Sequence, residues 1–307
     1  MKNDLEELKK ALDTAAAGSA LNQPAIDKVL AEIIERNNPL RMNFPRKPGS
    51  GSASIHNQRT ARTDTGEDGA KFVNDTEEPT ESRGVYGQAS FAYKTILRRG
   101  KVTRKLQAQG KSLLDIEAEE IENALQDVRD IEEQNLIVGD SAANAKQFDG
   151  LRKLVPAGQQ KAAGTNGGAL SLKLLDETID LVIGNPSMII MSKAMSRDLN
   201  ALLQAQQRFQ ETAEVNGGFR VPTYQGIPIF KTIWQPTNEV QGTSSVTQSL
   251  YVLETGPDLF TSVLTELTME RLAKKSSQGA EFDIFEDLSL VLKNPLKAAR
   301  LKGLTLA

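Results

Sequence analysis

Residues 111–139, KSLLDIEAEEIENALQDVRDIEEQNLIVG, constrain the fold more than any other stretch. Leu114, Ala118, Ile121, Leu125 and Val128 recur at alternating steps of four and three, which puts them on one face of an α-helix. Ser112 followed by Asp115 is a short version of the capping box and predicts the start; Gly139 predicts the end. No Pro or Gly interrupts the run, so the pattern predicts one helix roughly 40 Å long, more than twice the average length. The other face carries Asp115, Glu117, Glu119, Glu120, Glu122, Asp127, Asp130, Glu132 and Glu133 against only Lys111 and Arg129. Such a face is either wet or meets something basic.

A basic partner lies just upstream. Residues 85–106 alternate as a β-strand, with Phe91, Tyr93, Thr95 and Leu97 on one side and Ala92, Lys94 and Ile96 on the other. Lys94, Arg98, Arg99, Lys101, Arg104 and Lys105 fall in a stretch without an acid. Three readings stand open: local neutralisation by the helix, pairing across a subunit boundary, and contact with nucleic acid phosphate, which needs no motif. The second makes Arg98, Arg99, Lys101, Arg104, Glu119 and Glu120 the candidate inter-subunit contacts.

The rest of the chain divides by pattern. Residues 1–36 read as two short amphipathic helices, one on Leu5, Leu8 and Leu12, the other on Ile26, Val29, Leu30 and Ile33. Residues 37–70 are rich in Pro, Gly and Ser, and read as a linker or as a long solvated hairpin arm with Gly66, Glu67, Asp68 and Gly69 at its tip. From about 150 to 260, helical and strand patterns alternate, as in a layered α/β unit: a helix over 172–183, a buried strand at Ser187–Met191, a helix capped by Ser192 and running to Gln207, a turn at 216–218, and strands at 225–230 and 249–254. Beyond 260, alternating Val263, Thr265, Leu267 and Met269, then Phe282, Ile284, Leu288, Leu290 and Leu292, predict long antiparallel strands around a turn at 276–279. These strands, with the apolar stretch 296–306, are expected to return beside the long helix. The fold class is α+β, a discontinuous domain with an α/β unit inserted.

Catalytic chemistry finds little footing. The chain has no Cys and one histidine, His56, in the polar segment, so thiolate metal sites and a pinned Ser-His-Asp arrangement are not supplied. The helix carboxylates lack EF-hand spacing, and no phosphate-binding glycine motif follows a strand. No catalytic, cofactor-binding or metal-binding residue is assigned, and no cofactor is expected. No apolar run approaches the ~20 residues that span a bilayer, so no membrane partner is expected. A net charge of −3 gives no global field for nucleic acid.

The order of these parts resembles the major capsid proteins of tailed bacteriophages, the Hong Kong 97-type shell fold. FAYKTILRRGKVTRKLQ at 91–107, the acidic helix at 112–138, IVGDSAANAKQFDGL at 137–151, PSMIIMSKAMSRDLNALL at 186–203 and YQGIPIF at 224–230 carry the resemblance. It implies an N-terminal arm over 1–40, an extended loop over 41–90, a peripheral domain from 91–149 and 261–307 with the long helix as its spine, and an axial domain over 150–260. It implies homo-oligomers, pentamers and hexamers in an icosahedral shell, that package double-stranded DNA by non-specific contact. Separate scaffolding, portal and decoration proteins are the other partners it allows. The location implied is the virion, with assembly in the bacterial cytoplasm. Some relatives form a Lys–Asn crosslink; the surroundings of Lys71 and Asn294 align with no such motif, and both read as surface residues. An encapsulin-like nanocompartment and a helical adaptor protein are the alternative readings. Gly100, Gly110 and Gly139 are the expected flexible joints of a subunit that must fit unequal neighbours.

Overall fold

The computed structural model describes residues 38–64, 70, 72–78, 81–110, 115–206, 212–215, 219–273 and 279–306. The expected helices of 1–36, the hairpin tip at 66–69, Lys71, the cap at Ser112 and the turns at 216–218 and 276–278 lie outside them.

Two sheets share one core. The first has the order β1-β13-β14-β4, built from β1 (Arg46–Pro48), β4 (Lys94–Thr103), β13 (Leu259–Arg271) and β14 (Gly279–Leu292). The long antiparallel pair β13–β14 is the hairpin that the alternating Val263–Leu292 pattern predicts. Helix α3 (Ile116–Val138) crosses one face of this sheet, where Ala124 and Val128 meet Phe282 and Ile284. The helix is shorter than expected. Asp115 is itself the N-cap, accepting from the Ala118 amide, and a separate helix α2 (Arg104–Gly110) precedes it. Arg104 therefore belongs to a helix and not to the basic strand.

Among the described residues the second sheet has nine strands: β5 (Gln160–Ala162), β6 (Gly168–Ala169), β7 (Met188–Ser192), β8 (Thr212–Val215), β9 (Phe219–Tyr224), β10 (Ile227–Thr232), β11 (Glu239–Gln241), β12 (Ser244–Leu253) and β15 (Ala298–Thr305). Strand β7 lies between β12 and β10 and is buried along its whole length, which is why it reads as a continuous apolar run. Helices α5 (Leu172–Asp180) and α6 (Lys193–Ala205) cover one face, over Ile189, Met191, Leu250, Val252, Ala299 and Leu301. The Ser192 hydroxyl caps α6 at the Met195 amide, as its position in the sequence predicts. The other face packs against the first sheet through Ile190, Leu253, Leu136, Ile137, Leu288 and Leu290, together with Leu151 of the short helix α4 (Leu151–Leu154).

Further expectations are corrected. Residues 298–305, expected with the peripheral strands, join the second sheet between β12 and β5, because Ala299, Leu301 and Leu304 complete its apolar face. Strand β10 starts at Ile227; Gln225 and Gly226, both at positive φ, are the two-residue turn of the β9–β10 hairpin. Pro228 is tolerated because β10 pairs with β7 only from Ile229 onward. Gly100 and Gly139 are also packed positions. A Cβ at Gly100 would lie 2.2 Å from Cζ of Phe282, and one at Gly139 would lie 2.4 Å from the Phe148 carbonyl oxygen.

The Pro/Gly-rich segment is structured where it is described. Helix α1 (Pro39–Asn43) buries Leu40, Phe44 is buried just after it, and β1 adds to the edge of β13, so residues 39–48 belong to the body. A two-stranded hairpin follows, β2 (Ala53–Ala61) with β3 (Val85–Ala92). Its first strand falls in the segment read as a linker or a hairpin arm, but its partner strand, 85–92, lies beyond that segment, and residues 39–48 belong to neither. The strand expected from 85 through 106 is thus two strands, interrupted at Tyr93.

Candidate assembly interface

Strand alternation splits the candidate basic residues between two faces of the first sheet. Arg98 faces helix α3, where it meets Glu120 at 3.1 Å and Asp127. Arg99 and Lys101 face the opposite way. Arg99 holds Asp283 with two bonds of 2.6 and 2.7 Å, and Lys101 reaches Glu281 at 3.0 Å, each directly across the register to β14. The Asp283 carboxylate holds the Arg99 guanidinium above its ordinary value. Local neutralisation therefore occurs within one chain. It involves the helix for Arg98 and a neighbouring strand for Arg99 and Lys101.

These pairs remain open to solvent: Arg99 and Lys101 keep 52% and 59% of their side-chain surface exposed. Exposed pairs of this kind are screened by solvent and add little to stability. The face they frame also presents Leu97, 54% exposed. Arg104 is exposed on α2 and lines a shallow cleft with Glu117, Arg271 and Glu281, in which Arg271 pairs with Glu117 at 2.8 Å. Glu119 is half-buried in the first turn of α3. The six candidates thus do not form one patch.

The hairpin supplies a second surface. His56 lies on β2, not in a loop, and stacks on Phe91 with ring centroids 5.4 Å apart. Burial and the nearby Lys293 lower its pKa. The Gln58 amide donates to the Lys293 carbonyl at 2.5 Å, well along the hairpin, and the Tyr93 hydroxyl meets Ser262 Oγ at 3.0 Å at its base, fastening it to the body at two points. Ile55, Val85 and Tyr86 stay exposed. Among the described residues no group of acidic or histidine side chains is placed to hold a metal, and no helix is long and apolar enough to cross a membrane.

The densest polar cluster was not anticipated. Glu132, Glu133 and Glu286 have no exposed surface, and Arg41 and Arg46 enter among them. Arg46 meets Glu132 at 2.7 Å and also Glu286; Arg41 meets Glu286 at 2.8 Å and also Glu132. The Leu40 and Arg41 amides donate to the two oxygens of Glu133 at 2.9 and 2.8 Å, so a carboxylate from α3 caps α1. The Asn38 amide donates to Asp130 at 2.8 Å. Part of this helix face, expected to be wet or to meet something basic, is therefore buried against a basic partner, and that partner is residues 38–48. The signal was present in the sequence. Carrying the apolar stripe past Val128 by four and then three residues lands on Glu132 and Asn135, both buried.

The fold has solved relatives at low identity. A holo-SrpI encapsulin from Synechococcus elongatus PCC 7942 aligns at 14% identity with a TM-score of 0.73, covering 95% of each chain. The capsid of an empty GTA particle aligns at 14% identity and TM-score 0.73, covering 95% of this chain and 98% of that one. The capsid of cyanophage A-1(L) aligns at 13% identity and TM-score 0.69, covering 95% and 99%. At such identities the likeness is one of fold, the Hong Kong 97-type shell fold. Among curated proteins no sequence matches this one. The model of the SU10 major capsid protein family matches residues 13–305. By that match over almost its whole length, the chain belongs to the SU10 major capsid protein family.

Proposed function

We propose that this chain is the repeating subunit of a tailed-phage shell, assembling as pentamers and hexamers around double-stranded DNA in the bacterial cytoplasm. The family match over residues 13–305 carries this reading. The fold alone does not separate a phage shell from a nanocompartment, since the encapsulin and GTA structures align equally well; the family favours the phage. In this reading the first sheet with α3 acts as the peripheral unit and the second sheet as the axial one. The exposed hairpin rests on a neighbouring copy, and DNA contact is non-specific. Scaffolding, portal and decoration functions fall to separate proteins. The work is done by interfaces, with no catalytic step.

Arg99 and Lys101 are the better candidates for inter-subunit contact, because they frame an open face with Leu97. Arg98, Arg104, Glu119 and Glu120 contribute through the helical side. Electron microscopy of the purified protein tests the class: icosahedral megadalton particles are expected, and small oligomers would support an adaptor instead. Packaged DNA distinguishes a phage shell from a cargo-protein compartment. Reversing Arg99 and Lys101 to Glu is expected to leave a folded, soluble subunit that does not form shells; normal shells would remove these residues from the interface.

A further inference from the structure

Two surfaces of opposite charge are left uncovered in the subunit. The first is the far end of the hairpin arm. The pairing of β2 with β3 continues to Asp64, whose amide donates to the Arg83 carbonyl at 2.9 Å. Between those two residues the chain makes its loop. There residues 72–82, FVNDTEEPTES, hold Asp75, Glu77, Glu78 and Glu81 and no cation. All four acids are exposed. Just ahead of them Phe72 is 109% exposed, so its ring buries no surface in its own subunit.

The second surface is α2 with the cleft beside it. Arg104, Lys105 and Leu106 are exposed there, in a stretch from 94 to 108 that holds no acid. The cleft has a volume of about 270 Å³, and its apolar lining is Leu272, Ala280 and Phe282; a cavity of about 150 Å³ already holds a benzene ring. Its two carboxylates are engaged, Glu117 with Arg271 and Glu281 with Lys101. Arg104 and Lys105 have no ion-pair partner among the described residues.

The arm and α2 sit at opposite ends of the first sheet. Tyr93 on Ser262 and Gln58 on the Lys293 carbonyl root the arm where β4 begins. In the β4–β14 register Lys94 faces Leu288, near that root, while Thr103, the residue before α2, faces Gly279. The whole length of β4, about 30 Å at roughly 3.3 Å per residue, lies between the root and α2. Within one chain both surfaces stay exposed.

We propose that the acidic arm end of one copy docks on α2 of a neighbouring copy, with Phe72 seated in the cleft and Asp75 and Glu78 beside Arg104 and Lys105. The contact rests on the shell reading above and gives the arm a specified landing site. Opposite charges steer the two surfaces together and fix their register. The buried ring supplies the anchor. Because its charged rim is open to solvent, the contact weakens as salt rises.

The full chain has no cysteine, so Glu78→Cys and Lys105→Cys each carry a single thiol. In a mixture of these two variants, a link between positions 78 and 105 can form only between copies. Assembled together and treated with a short bismaleimide, they are expected to yield that linked peptide by mass spectrometry. Particles without it overturn the contact and leave the shell reading standing; a wild-type chain that forms no particles overturns both. Phe72→Ala removes no packing within the subunit. It is expected to leave the urea midpoint unchanged and to raise the concentration needed for assembly about tenfold. Arg104→Glu with Lys105→Glu is expected to raise that concentration at least as much, and adding Asp75→Lys with Glu78→Lys to restore it. Assembly of the α2 variant or of Phe72→Ala at the wild-type concentration, or no recovery when the charges are exchanged, would also overturn the proposal.

Discussion

Gly100 gives the sharpest test of how the first sheet is held. It pairs with Phe282 across β4 and β14, and the Phe282 ring lies over it: an added Cβ would sit 2.2 Å from Cζ and 2.7 Å from both Cε atoms. Gly100 has no positive φ, so its backbone suits any residue and the conflict is purely steric. Phe282 is 2% exposed and packs under α3 with Ala124, Val128 and Ile284. The ring cannot swing away without disturbing that layer. Gly100→Ala is therefore expected to destabilise the subunit by about 1–3 kcal/mol, the usual cost of overpacking a filled core. At about 2–4 °C per kcal/mol, this lowers Tm by roughly 2–12 °C. Urea denaturation of unassembled subunit should show a lower midpoint with an unchanged m value. The diagnostic variant is the double mutant. Phe282→Leu shortens the side chain over Gly100, so the alanine should cost less than about 0.5 kcal/mol in that background, a non-additivity expected only of residues in contact. A cost for Gly100→Ala that is the same with Phe or Leu at 282 would refute the packing argument. It would favour the view of Gly100 as a joint whose backbone freedom matters.

Two further predictions concern buried polar groups. Glu286→Ala removes a carboxylate shared by Arg41 and Arg46 and should destabilise the fold by about 3–5 kcal/mol; Arg41→Met in the same chain should restore part of that loss, and strict additivity in denaturation would count against the shared pairing. Ser192→Ala deletes both the α6 cap at Met195 and a buried bond to Gln248. It should cost about 1–3 kcal/mol, read by the same melts, whereas Ser171→Ala at the half-buried α5 cap should cost less.

Much of the fold is legible in the chain because its strongest signals are local. The 3.6-residue period of 114–128, the apolar run of β7, the Ser192 cap and the alternation in β13 and β14 each report one element's own burial. What escaped depends on which element meets which. Residues 298–305 alternate equally well for either sheet, and only the incomplete apolar face beside β12 decides between them. Arg98 and Arg99 looked like one basic patch because composition ignores the pleat, which sends neighbours to opposite faces. Glu132 and Glu133 lie on a face that reads as wet or as meeting something basic, and the nearest basic run, at 94–105, is not what covers them. Their burial depends on Arg41 and Arg46 arriving from some ninety residues upstream in the chain, and no local window contains both halves.

The placement of β15 bears on when the subunit can finish folding. Strands β5 and β6 both pair with β15, and β12 uses it as its antiparallel neighbour. Among the described strands β5 and β6 have no other partner, whereas β12 also pairs with β7 and β11. Folding from the N-terminus during translation can build α3 on β4 before residues 298–305 emerge, but one flank of the second sheet stays unpaired until they do. A variant lacking residues 298–305 would retain an open, apolar sheet edge.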